Sequence, residues 1–160
     1  MKRWIAVVTV GAGLSMILST LPAQAMAPKK THVDDSFKFT NHFCSFPIRV
    51  TTRITGSDSL FFDGKGNVLR EELHLFVYGV WKNRDSGKQA IERDHVHNVI
   101  YPDDNFAIMG LNFHLSLPNG RTVLIDAGRL LFGSEGNLVF EAGKHQAEDG
   151  DVAGLCNALG

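Results

Sequence analysis

Residues 106–132 read FAIMGLNFHLSLPNGRTVLIDAGRLLF, and this stretch decides the fold. Two apolar runs flank Pro118-Asn119-Gly120, a triplet of turn-forming residues. Before the turn the odd positions are Ala107, Met109, Leu111, Phe113, Leu115 and Leu117; after it they include Val123, Ile125, Ala127 and Leu131. Side chains two apart share one face of a strand, so the pattern predicts strands 106–117 and 121–132. A three-residue turn with Gly120 left-handed pairs Leu117 with Arg121. It sets Leu115 opposite Val123, Phe113 opposite Ile125 and Leu111 opposite Ala127. A two-residue turn would pair odd with even and split that apolar face, so the three-residue turn is selected. The other face then holds Asn112 across from Asp126 and His114 across from Leu124.

The same punctuation recurs on both sides of this hairpin. Asp63 to Asn67, Asn83 to Gly87, Pro102 to Asn105 and Gly133 to Asn137 are all rich in residues that accept turn dihedrals. Between them the chain predicts strands 47–55, 59–62, 67–82, 89–101 and 137–145. The class is all-β: an antiparallel meander closed as a barrel, or alternatively a sandwich. A helical signal occurs only at the end, where Asp151 can N-cap a short helix through Leu159.

Lys2 and Arg3 precede an uncharged, mostly apolar run from Ile5 to Leu21, then Pro22 and Ala23-Gln24-Ala25. This is the pattern of a secretory signal peptide cleaved after Ala25. The domain reading is therefore 1–25 signal peptide, 26–43 flexible lead-in and 44–160 a single disulfide-tied β domain. The product is expected to be secreted, with no membrane span after signal removal, since no second apolar run is long enough.

The whole chain has 160 residues, 44% of them apolar, enough for one domain with a core. Without Lys2 and Arg3 the 16 basic residues fall to 14 against 17 acidic, a formal charge of −3. That balance argues against a nucleic-acid partner. Cys44 and Cys156 are the two cysteines, and outside the cytoplasm they are expected to pair. Closing a loop of that size is worth about 4.7 kcal/mol in the chain-entropy picture. Pairing also removes both thiols as nucleophiles.

The chemistry turns on histidines. His95 and His97 share a strand face, so two imidazoles could grip one metal, with His74 as the third candidate ligand. If the turns at 83–88 and 102–105 keep even numbers of residues, His97 lies opposite His74 and Gly110. His95 then lies opposite Phe76 and Asn112, and Tyr78, Arg93 and His114 form the next row. His74, His114, Asn112 and Asp126 are the candidate binding residues of that patch. If the register shifts by one, His95 and His97 face a barrel lumen. There, with Glu71 or Arg93, they become candidate acid/base groups. Glu71 and Glu72 are adjacent, so on a strand they point to opposite faces.

Other patterns fail on spacing. After His95-Val96-His97, Tyr101 and Pro102 stand where a cupin would carry its acidic ligand. Asp63 starts like a calcium loop, but Lys65 and His74 occupy positions that need oxygen ligands. The chain from residue 26 onward contains no phosphate loop, dinucleotide fingerprint or nucleophile elbow, and no cofactor is expected.

Cys44-Ser-Phe-Pro-Ile, the turn Asn83-Arg84-Asp85-Ser86-Gly87-Lys88, Gly128-Arg129 and Leu155-Cys156-Asn-Ala-Leu recur in this order. With these motifs the chain resembles small exported proteins of high-GC Gram-positive bacteria. The resemblance implies a β-rich exported domain, and no catalytic residue carries over from it. The meander is also similar at fold level to barrels of the allene oxide cyclase and dirigent type, which implies no reaction. The sequence therefore leads to a non-catalytic module for a small apolar ligand or a cell-surface partner. A barrel enzyme (cyclase, isomerase or hydrolase) using lumenal His is the alternative.

Overall fold

The strands end where turn residues satisfy the backbone themselves. Asp63 Oδ1 accepts the amides of Lys65 and Asn67, at 2.8 and 2.9 Å, and Asn83 Oδ1 accepts that of Asp85 at 2.8 Å. The 117–121 turn closes with Leu117 N donating to Arg121 O, and Gly120 takes φ +85°, as the three-residue reading requires. The computed structural model describes residues 26–147 and 152–160. The expected signal peptide and Asp151 lie outside the described residues.

Among the described residues seven strands form one sheet: β1 (Lys29–Asn41), β2 (Ile48–Phe62), β3 (Val68–Asn83), β4 (Gln89–Ile100), β5 (Phe106–Ser116), β6 (Thr122–Phe132) and β7 (Leu138–His145). They pair in chain order, always antiparallel. The expected meander is present, but it is not closed into a barrel. In an alternating array of seven, β1 and β7 run in the same direction, so closure would need a parallel pair. Two other expectations are corrected. Residues 29–41, expected as lead-in, form the edge strand β1 with a full ladder to β2. The two strands expected at 47–55 and 59–62 are one, running through Gly56.

A short helix, α1 (Ala153–Leu159), follows, with Val152 at its N-cap and no side-chain capping bond. Cys44 and Cys156 are bonded, with Cα atoms 5.5 Å apart. A disulfide persists in oxidising surroundings, so the folded domain belongs outside the cytoplasm. No helix among the described residues is long and apolar enough to cross a membrane.

The bond holds α1 against the sheet, where Leu155 and Leu159 complete a core of Ile48, Val50, Trp81, Ala90, Leu115 and Leu124. Each such large side chain contributes roughly 1.5–3 kcal/mol on full burial. The helix end is tied to the β3–β4 turn. Leu159 O accepts from Asn83 Nδ2 and from Ser86 Oγ, both at 2.8 Å, and Gly160 O accepts from Lys88 Nζ at 2.6 Å. This explains the Asn83–Lys88 motif as a clamp on the chain terminus.

The register of the 106–132 hairpin departs from expectation in its middle. Leu111 faces Ala127 as expected, but Leu115 faces Leu124, His114 faces Ile125 and Phe113 faces Asp126. Asn112 on β5 and Val123 on β6 are extra residues in their ladders, two bulges that cancel. Phe113, Leu115, Leu124 and Leu130 therefore share the core face, the bulged Val123 also packs against the core, and Ile125 lies on the other face opposite His114. One row across the sheet joins Val33, Gly56, Leu75, Val96, Gly110, Gly128 and Gly143. Gly128 and Gly143 face each other with φ +145° and +126°, and a Cβ on either would overlap the neighbouring strand's backbone. Such glycine positions let a sheet curl sharply across its strands.

Candidate functional site

The Asn112 bulge builds a site on the core face. It presents two consecutive side chains, Asn112 and Phe113, to a cavity of about 440 Å³ beside the α1 core. Phe43, Trp81 and Phe113 supply aromatic walls, Val96, Ile108, Leu124 and Leu130 aliphatic ones, and Asn98, Asn112 and Asp126 polar points. Phe37 and Phe39 extend the aromatic surface along β1, stacked on each other with Phe39 edge-on to Trp81.

Three buried acids reach the core face by strand alternation, and one of them, Asp126, lines the cavity. Glu92, Asp94 and Asp126 are 6%, 6% and 4% exposed. Glu92 Oε2 accepts the indole N–H of Trp81 at 2.9 Å. Asp94 Oδ1 accepts the backbone amide of His114 at 2.7 Å, and Asp126 Oδ1 that of Ala147 at 2.8 Å. Burial, reinforced by the adjacent Glu92 and by Asp126, pushes the Asp94 carboxyl up to about 8. It therefore carries a proton at neutral pH and can share it with Glu92. The two carboxamides are in the opposite condition. Asn98 Oδ1 and both polar atoms of Asn112 are shielded from solvent and have no hydrogen-bond partner among the described residues. Buried polar atoms without partners cost roughly 1–3 kcal/mol each, and a bound molecule can remove that cost.

Of the residues the sequence singles out, Asn112 and Asp126 both line this cavity. Glu71 also lies on the core face, above the glycine row, where burial and nearby Asp58 raise its carboxyl. His95, His97 and Arg93 are on the outer face, so no lumenal acid/base group forms from them with Glu71. Glu71 and Glu72 do point to opposite faces. His114 turns outward, its ring Nε2 3.0 Å from Thr122 Oγ1. Arg93 sits over the Tyr78 ring and His95 stacks on Phe76.

The β3–β4 register is as expected: His74 faces His97, Phe76 faces His95 and Tyr78 faces Arg93. The β4–β5 register is not. His97 faces Met109 and His95 faces Leu111, because Ile100 pairs with Phe106 and leaves a five-residue loop, an odd number. His95 does not join the other two imidazoles; Glu72 does. Glu72, Glu92 and Asp94 are the residues sequence reasoning missed. The available signal was parity: Glu72 and His74 are two apart on one strand, and Glu92 and Asp94 are two apart on the next.

Comparison of the chain with protein-family models, curated proteins and solved structures finds no match in any of the three.

Proposed function

We propose that this protein is an exported binding module for a small, largely apolar, non-anionic molecule held in the core-face cavity. The observation that carries the reading is Asn112. A β-bulge aims an unpartnered buried carboxamide into an aromatic-walled cavity of about 440 Å³. Ligand sites typically measure about 300–1,000 Å³, mostly apolar with a few convergent polar groups. Asp126 in the lining sets the charge preference. An anion would meet Asp126 in the lining, whereas a neutral hydroxyl or amide can pair with Asn98 and Asn112. Export through an N-terminal signal agrees with the disulfide, and the resemblance to exported proteins of high-GC Gram-positive bacteria agrees with both.

The test is calorimetric titration of residues 26–160 with the neutral apolar dye N-phenylnaphthylamine. Saturable binding at one site, weakened about tenfold or more by Asn112→Leu, is expected. Absence of saturable binding, or equal binding by the variant, rejects the reading.

A further inference from the structure

The outer face carries a second constellation that the cavity does not use. Strand alternation puts Glu72 and His74 on one face of β3, and the β3–β4 register brings His97 opposite His74. The two imidazoles stack with centroids 3.9 Å apart and planes 16° apart. Glu72 Oε2 is 3.6 Å from His74 Nε2 and 3.5 Å from His97 Nε2. The three ligand atoms all lie within 4.8 Å of one another.

We propose that Glu72, His74 and His97 form a binding site for a divalent transition metal of the Zn²⁺ type. Two imidazole nitrogens and one carboxylate oxygen are a donor set that suits this ion. Tetrahedral bonds of about 2.0–2.1 Å place neighbouring ligand atoms roughly 3.3 Å apart. Both Glu72–His separations are already near that edge length. A second, independent observation is that His97 Nε2 is shielded from solvent yet has no hydrogen-bond partner among the described residues. It is a ring nitrogen held 3.5 Å from a carboxylate oxygen without a hydrogen bond to it.

The surroundings support the arrangement. Arg70 Nε donates to Glu72 Oε1, which fixes the carboxylate while leaving Oε2 free. Arg70 is itself held over the Phe61 ring at 4.1 Å. Near-parallel rings direct their lone pairs side by side, so coordination needs the imidazoles to splay about χ2. Their side chains are 46% and 32% exposed, so neither rotation is blocked by the core. Three protein ligands leave a fourth position for water or an outside donor. His95, one turn of the pleat away on the same face, is committed to its stack on Phe76 and provides an internal control.

The experiment uses residues 26–160 prepared without a polyhistidine tag, titrated calorimetrically with Zn²⁺ alone. One ion per chain is expected for the parent. His74→Ala, His97→Ala and Glu72→Gln should each weaken binding about tenfold or more, while His95→Ala binds as the parent does. Far-UV circular dichroism of each variant confirms that loss of binding is not loss of fold. Substoichiometric binding by the parent overturns the proposal. So does parent-like binding by folded His74→Ala and His97→Ala, or an equal loss in His95→Ala.

Discussion

The indole N–H of Trp81 donates to Glu92 Oε2 at 2.9 Å, joining the aromatic wall of the cavity to a buried acid. Trp81 is 5% exposed and belongs to the α1 core, so one side chain serves packing and polarity together. Trp81→Phe keeps much of the apolar area but leaves a buried carboxylate short of a donor. The cost should be about 1–3 kcal/mol, read as a lower urea midpoint by circular dichroism. Adding Glu92→Gln to that variant should recover part of the loss, since the unpaired charge is then gone. Additive losses in the double variant would show that the bond contributes nothing.

Asp94 predicts an unusual pH dependence. In the unfolded chain its proton leaves near pH 4, while in the folded domain burial and Glu92 retain it to about 8. Between those values the folded state binds more protons. Stability from this group is full below about pH 4 and falls as pH rises, by up to about 1.4 kcal/mol per pH unit. Asp94→Asn should flatten that slope between pH 4 and 8 in urea titrations. An unchanged slope would mean the Asp94 proton is lost at an ordinary pH.

Gly128 and Gly143 face each other where the sheet curls. Gly128→Ala places a methyl against the Ala142 carbonyl and imposes a φ that L-residues avoid. Strain of about 1–3 kcal/mol is expected from the backbone alone, with more from the clash. Gly136→Ala, at φ +76° and with nothing within 4 Å of its Cβ, is the comparison without a clash. The two variants' thermal midpoints should differ clearly, with Gly128→Ala lower.

Asn83 clamps the last residues of the chain from a buried position in the β3–β4 turn. Asn83→Ala removes the Leu159 tie and the turn contacts at once, so about 1–3 kcal/mol should be lost. Because α1 packs on the disulfide end of the core, faster reduction of Cys44–Cys156 should accompany the loss. Parent-like reduction kinetics would separate the clamp from the bond.

Legibility of the sequence followed the length of each signal. Turns and most strands between Cys44 and His145 were readable because Asp, Asn and Gly mark dihedrals locally, but Gly56, Ser57 and Asp58 gave a false break inside β2. The disulfide was readable because two cysteines in an oxidising context have one pairing. β1 was hidden: Lys29, Lys30, Asp34 and Asp35 give it the polarity of an edge strand, which resembles a linker in composition. Face assignment failed where registers depend on one residue. The bulge at Asn112 and the odd 101–105 loop each shift the ladder, and neither has a compositional mark. That shift moved Asp126 and Asn112 into the cavity together, and only parity along β3 could have exchanged His95 for Glu72.

The cavity is tested most directly by its own reporter. Trp81 is the single tryptophan of residues 26–160, and it lines the cavity wall. Its emission can be followed while the chain is titrated with neutral N-phenylnaphthylamine and, separately, with anionic anilinonaphthalene sulfonate. The account expects saturable quenching by the neutral dye with energy transfer to it, and at least about tenfold weaker binding of the sulfonate. Absent quenching by the neutral dye, or equal binding of the anion, would contradict a cavity that carries Asp126 in its lining and takes a neutral apolar guest.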